Sequence, residues 1–135
     1  MLTIDHLGIV VKSLETAKQF YRNLGLEIHG EEVVAGEQVK VAMVPLGESR
    51  IELLEPTADS SPIARFLAKR GEGLHHVALH VHNLAATMER MKNAGTRFIS
   101  DDIKIGAGGH AYVFVHPASA GGVLLELCEE QPKGA

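Results

Sequence analysis

The chain has 135 residues, 45% hydrophobic and 22% charged, with a net charge of -4, which fits one soluble compact domain spanning 1–135. Its six Phe and Tyr residues (four and two) come with no basic run, so composition argues against a nucleic-acid surface. No apolar stretch is long enough to span a membrane, Met1 to Asp5 lack the basic and apolar regions of a signal peptide, and the single Cys128 cannot form an internal disulfide, so a cytoplasmic location is expected.

Residues 4–11 alternate and are rich in Ile and Val, which predicts a strand. Ser13 reads as the N-cap of a helix running to about Asn23, with Leu14, Ala17, Phe20, Tyr21 and Leu24 at helical spacing and Gly25 as the stop. Strands near 26–34, 38–46 and 49–55 follow, with Gly36 and Gly47-Glu48 in the turns. Residues 57–73 read as a linker: a polar turn from Thr57, then a short helix from Pro62 to Lys69, Pro62 suiting a first helical position. The same order then returns. A strand over 75–82 precedes the cap Asn83, a helix over 84–94 and the stop Gly95. Strands near 96–100, 111–116 and 122–128 complete it, joined by Gly106-Ala107-Gly108-Gly109 and by Pro117 to Gly122.

The two stretches, about 3–56 and 74–130, therefore read as copies of one βαβββ module. His6 and His76, Leu14 and Leu84, and Gly25 and Gly95 keep a constant offset, whereas Glu52 and Glu126 are four residues further apart. The extra residues are expected in the loop around Asp101 to Gly109. Two copies of this length suit a paired-module α+β domain better than a solenoid.

Each copy offers one His near its start and one Glu near its end. Strand alternation puts His6, Gly8 and Val10 on one face, and His76, Ala78 and His80 on the equivalent face, which selects His76 over His75. Glu52 interrupts Ile51-Glu52-Leu53-Leu54, and Glu126 interrupts Val123-Leu124-Leu125-Glu126-Leu127. A carboxylate within an apolar strand is costly unless paired or bound to a cation, and two of them in one cleft repel. A divalent metal ion held by His6, Glu52, His76 and Glu126 resolves both costs. The remaining histidines, His29, His75, His80, His82, His110 and His116, are expected to be structural or at the surface. His110 and His116, which flank a strand beside the Gly-rich loop, are the candidates among them for substrate contact. Cys128 reads as a buried small apolar residue. The Gly-rich loop lacks Walker spacing and reads as a hairpin connection, or as a place where backbone approaches substrate closely.

These residues resemble the vicinal-oxygen-chelate, glyoxalase-like superfamily and, within it, the methylmalonyl-CoA epimerase family. The resemblance runs over residues 3–130. It is carried by Ile4-Asp5-His6-Leu7-Gly8-Ile9, by Ile51-Glu52-Leu53-Leu54-Glu55-Pro56 and by the linker from Asp59 to Leu67 with Gly73-Leu74-His75-His76. Gly106 to Gly109 and the stretch from His116 to Leu127 add to it. The resemblance implies two βαβββ modules forming a cupped mixed sheet around a divalent ion, cobalt being favoured over manganese, nickel, zinc or magnesium. It implies an acyl-CoA substrate, a homodimer, and the ligand set His6, Glu52, His76 and Glu126. Glu126 is then both ligand and base, removing the C2 proton of methylmalonyl-CoA to give an enolate. Some members carry Gln at the position of Glu52, and some carry a second acidic base at the position of Val41. The second base is therefore unassigned, with Glu37 as a substitute. The competing readings are a glyoxalase I-like isomerase, an extradiol dioxygenase and a metal-free small-molecule binding protein of the same fold.

Overall fold

The computed structural model describes residues 2–129. Met1 and the last residues of the expected domain and of its second repeat, from Glu130 on, lie outside them. The elements run β1 (Thr3–Val10), α1 (Leu14–Asn23), β2 (His29–Val34), β3 (Val39–Leu46), β4 (Ser49–Pro56), α2 (Pro62–Arg70), β5 (Gly73–His80), α3 (Leu84–Asn93), β6 (Lys104–Ile105), β7 (Ala111–Val115) and β8 (Leu125–Glu129). Three short 3-10 turns intervene at Ala35–Glu37, Ala107–Gly109 and Pro117–Ser119. Among the described residues no helix is long and apolar enough to cross a membrane.

The chain divides into two compact units: His6–His75, and His76–Ala135 together with Met1–Asp5. In the first, the strand order is β2-β3-β4-β1. Strand β4 runs antiparallel to β3 and parallel to β1, with Gly8 opposite Glu52 and Met43 opposite Glu52 on the other side. In the second, the order is β5-β8-β7-β6. Strand β8 runs parallel to β5 and antiparallel to β7, so Ala78, Glu126 and Phe114 form one row across the three strands.

Both long helices start where the sequence predicts. The Ser13 hydroxyl accepts from the Thr16 N–H and the Asn83 side chain from the Ala86 N–H. A second acceptor, which the sequence reading passed over, reinforces each start. Glu55 at the end of β4 accepts from the Leu14 N–H at 3.1 Å, and Glu129 at the end of β8 accepts from the Leu84 N–H at 3.2 Å. A carboxylate there also meets the positive end of the helix dipole. Each pins the last strand of its module to the start of the helix on one face, three residues after the Glu that points to the other.

Helix α1 covers one face of its sheet, burying Leu14 with Val11, Ala42, Val44, Ile51 and Leu53. Helix α3 does the same, burying Leu84 and Met88 with Val81, Ala111, Val113, Val115 and Leu127. The rows that carry the site residues lie on the opposite faces. In the first unit, α2 closes part of that face, with Ile63 buried among Val10, Val39, Val41 and Leu54. The linker is thus an integral piece of the first unit. Ser61 caps α2 through the Ile63 N–H, and Pro62 takes its first turn.

Several expected boundaries move. Strand β2 begins at His29, because Leu26 is drawn back to the helix end by its N–H bond to the Tyr21 carbonyl. Residues 96–100 form a single bridge, Phe98 opposite Val115, and the partner of β7 is the two-residue strand β6 inside the expected loop. The four extra residues of the second copy allow that later segment to reach β7. Strand β8 starts at Leu125 rather than near 122, since Gly121 and Gly122 adopt φ of 66° and 88°, outside strand conformation. On α1, Phe20 and Leu24 are 62% and 66% exposed despite their helical spacing, while Lys18 is buried. Its ammonium pairs with Glu15 at 2.7 Å and with Glu31 of β2.

Candidate functional site

In the first unit, β1 and β4 run side by side, and alternation turns His6 and Glu52 to the same face. Both are buried, at 3% and 6% exposure. His6 Nδ1 lies 3.4 Å from Glu52 Oε2. Arg50, two residues before Glu52 and therefore on the same face, donates to that oxygen from Nε at 2.9 Å and from Nη2 at 2.6 Å. Its Nη2 also sits 3.5 Å from His6 Nδ1. The burial cost of Glu52 is met by a charge-assisted pair of donors. The sequence reading missed Arg50. The i, i+2 spacing from Glu52 was the signal that could have found it.

The second unit repeats the His–Glu pair with different surroundings. His76 and Glu126 are 6% and 8% exposed. His76 Nε2 lies 3.3 Å from Glu126 Oε1. Phe114, directly across from Glu126 in the ladder, stands edge-on to the His76 ring with centroids 5.3 Å apart. Tyr112 continues this aromatic strip, 5.8 Å from Phe114, and Cys128 lies beside it, buried, its thiol directed at the Leu79 carbonyl at 3.6 Å. Cys128 is the small core residue its position predicts.

Each pair can hold two coordination positions of one ion. Donors bound at about 2.1 Å and near-tetrahedral or octahedral angles sit roughly 3.0–3.5 Å apart, and the two pairs measure 3.4 and 3.3 Å. Imidazole and carboxylate together suit divalent first-row ions. Each pair, His6 with Glu52 and His76 with Glu126, therefore offers donors of the kind and spacing that a divalent cation takes.

The other histidines fall into place by contact. His75 packs edge-on against Phe66 of α2 at 4.9 Å, and burial, with the Arg70 guanidinium adding to it, pushes its imidazole below the usual range. It packs against α2. His29 is exposed beside Glu27, and His80 and His82 stand edge to face at 5.7 Å. His116 caps the turn at Pro117, its Nδ1 accepting from the Ala118 N–H at 3.0 Å. His110 differs: its Nδ1 is buried and has no hydrogen-bond partner among the described residues.

Val41 shares the face of Glu52, one step along the ladder opposite Leu54, and is buried at 3% exposure against α2. It is packing, with no proton to give. Glu37 lies in the 3-10 turn before β3, where its carbonyl accepts from Ser61 Oγ at 3.4 Å.

The sequence profile of the Glyoxalase/Bleomycin resistance protein/Dioxygenase superfamily matches residues 5–114. The mitochondrial methylmalonyl-CoA epimerase of Bos taurus is 42% identical over 127 residues, which cover 92% of this chain and 72% of that protein. The ethylmalonyl-CoA/methylmalonyl-CoA epimerase of Cereibacter sphaeroides is 39% identical over 127 residues, covering 92% of this chain and 95% of that one. Among solved structures, a methylmalonyl-CoA epimerase in complex with methylmalonyl-CoA and NH4+ matches with a TM-score of 0.89 at 35% identity, over 96% of this chain and 97% of that chain. With a βαβββ-like order in each unit, a buried His–Glu pair at the same place in both, and this similarity along nearly the whole length, the chain belongs to the glyoxalase/bleomycin resistance protein/dioxygenase superfamily and, within it, to the methylmalonyl-CoA epimerases.

Proposed function

We propose that this chain interconverts the two C2 epimers of methylmalonyl-CoA, with His6, Glu52, His76 and Glu126 holding one divalent ion and Glu126 moving the proton. The observation that carries the reading is the second His–Glu pair. A buried carboxylate, 3.3 Å from an imidazole and roofed by Phe114, is a base placed in a water-poor setting, in a chain whose relatives are named for this reaction. The ion, when bound, supplies Lewis-acid stabilisation of negative charge on substrate oxygen, worth several kcal/mol. Cobalt is the favoured ion.

The protein's own groups do the rest. The C2 proton is acidified by the thioester carbonyl beside it. Glu126 takes it, and the electron pair left on C2 delocalises into the thioester carbonyl as an enolate. His76 fixes the direction of the Glu126 carboxylate, and the Phe114 ring keeps water from competing for the proton. Arg50 holds Glu52 by two N–H bonds to one oxygen, which suits a ligand with a fixed direction. Return of a proton to the opposite side of C2 restores the acid as the other epimer. Val41 cannot deliver it. In this reading both modules act as one domain, in a cytoplasmic homodimer.

The test is to incubate the metal-loaded protein with one epimer in D2O, following deuterium entry at C2 and formation of the other epimer. Metal-dependent exchange with interconversion is the expected result. If exchange is absent, or if the protein instead isomerises a hemithioacetal, the assignment fails.

A further inference from the structure

His110 sits where the Gly-rich loop feeds β7. The loop closes as a hairpin turn, with the Gly106 N–H bonded to the His110 carbonyl at 2.9 Å and the Gly109 N–H to the Gly106 carbonyl at 3.0 Å. Gly108 and Gly109 take φ of 71° and 75°, which only glycine adopts without strain. The backbone of His110 itself is extended, φ -78° and ψ 138°. The alternation of β7 therefore continues through it, and His110, Tyr112 and Phe114 share one face. That is the face of Glu126, because Phe114 and Glu126 are ladder partners.

Two glycines press the loop onto this face. A Cβ at Gly106 would lie 2.9 Å from Tyr112 Cε1, so the backbone rests directly on that ring. A Cβ at Gly108 would lie 3.5 Å from His110 Cδ2 and 3.6 Å from its Nε2, so the loop covers the Cδ2–Nε2 edge of the imidazole. The opposite edge carries Nδ1, buried and without a hydrogen-bond partner among the described residues. A buried polar atom in that state costs stability, and an acceptor from outside the chain meets it only when the groups packed over it give way.

We propose that His110 is a substrate-binding residue whose Nδ1–H donates to an amide carbonyl of the pantetheine arm of the acyl-CoA. This rests on the acyl-CoA reading above. The assignment to the arm follows from spacing. His110 precedes Phe114 by four residues of extended chain, so it lies roughly 13 Å along the face from the row of Glu126. With C2 of the acyl group at Glu126, the substrate's free carboxylate, one bond from C2, falls far short of that span. The pantetheine amides, several bonds beyond the thioester sulfur, reach it. They also present carbonyl acceptors, the complement of an N–H donor on a face otherwise lined by Tyr112 and Phe114.

The experiment compares His110→Ala, His110→Asn and His110→Gln on the metal-loaded protein. An Asn amide reaches the place of Nδ1, and a Gln amide reaches that of Nε2. With methylmalonyl-CoA, H110A is expected to raise KM about tenfold, the worth of one hydrogen bond, with kcat unchanged within roughly twofold. H110N restores KM and H110Q does not. With a methylmalonyl thioester of a simple alkyl thiol, which lacks the amides, wild type and H110A become equal. Equal KM with the CoA substrate, or the same loss with both substrates, overturns the proposal, since the nitrogen then serves water or the fold. Calorimetric binding of acetyl-CoA separates this from the reaction itself. If the wild type shows no epimerisation but binds acetyl-CoA, and H110A binds it about tenfold more weakly, the residue keeps its role while the reaction is reassigned. Equal affinities reject the role whatever the reaction.

Discussion

The two modules place the same pair of residues at the same strand positions and then surround them differently. Two residues before the acid, the first module has Arg50 and the second has Leu124. Across the ladder from the acid, the first has Met43 and the second has Phe114. So Glu52 is held through a guanidinium, and Glu126 lies beside an imidazole under an aromatic edge. A carboxylate engaged by two charge-assisted donors is held in a fixed direction. Repetition supplies a pair of equivalent acids, and the neighbours give them different surroundings.

The largest expected effect tests that division. Glu126→Gln should cut C2 exchange by about 10²–10⁴, the usual worth of a general base, whereas Glu52→Gln, which keeps a ligating oxygen, should lower it by no more than about tenfold and weaken metal affinity instead. Exchange rates in D2O on the metal-saturated variants decide it, and equal losses would mean that the two acids are interchangeable. Next, Arg50→Ala leaves Glu52 buried without its guanidinium in the metal-free chain, which should cost about 3 kcal/mol by denaturant unfolding. Added divalent ion should recover much of that loss. Phe114→Ala should lose a comparable amount through lost packing, and an ion should not restore it.

A smaller effect compares the helix starts. Ser13→Ala and Asn83→Ala should each cost about 1 kcal/mol, and the cost should grow when Glu55→Gln or Glu129→Gln removes the second acceptor. The smallest effect at neutral pH concerns Lys18, whose equivalent in the second module is Met88, also buried. Hydrogen bonds to Glu15 and then Glu31 hold the Lys18 pKa above 10.5, and those from Lys18 and Lys40 hold Glu31 below 4.5. The Lys18 contribution is therefore fully present below pH 10.5 and lost as pH rises through its raised folded value. The Glu31 contribution is present above pH 4.5 and lost as pH falls through its lowered one. Lys18→Met should fold normally and flatten the stability profile at both extremes. An unchanged profile would show that the exposed part of the network is solvent-screened.

The elements that the sequence made legible are those governed by local chemistry. Ser13 and Asn83 had to cap, Gly25 and Gly95 had to stop, and alternation chose His76 over His75 before any contact was known. The apolar stripe on α1 was a different matter. Helical spacing grouped Phe20 and Leu24 with Leu14, yet both are exposed in the folded chain, and Lys18 is buried at the position where Met88 is buried in the other copy. The partner of β7 was equally illegible, since two residues of edge strand carry no periodicity and pair only because the hairpin at Gly106 returns them.

Sequence alone determined the doubled strand and helix order, its helix ends and the choice of four candidate ligands, because each rests on spacing or on a side chain that an apolar strand does not tolerate unpaired. Tertiary structure alone decided that Arg50 holds Glu52, that Phe114 stands over His76 and that His110 keeps a buried nitrogen unmatched. Those facts depend on which strands lie side by side and in which register, and register is a property of the folded sheet that no single segment contains.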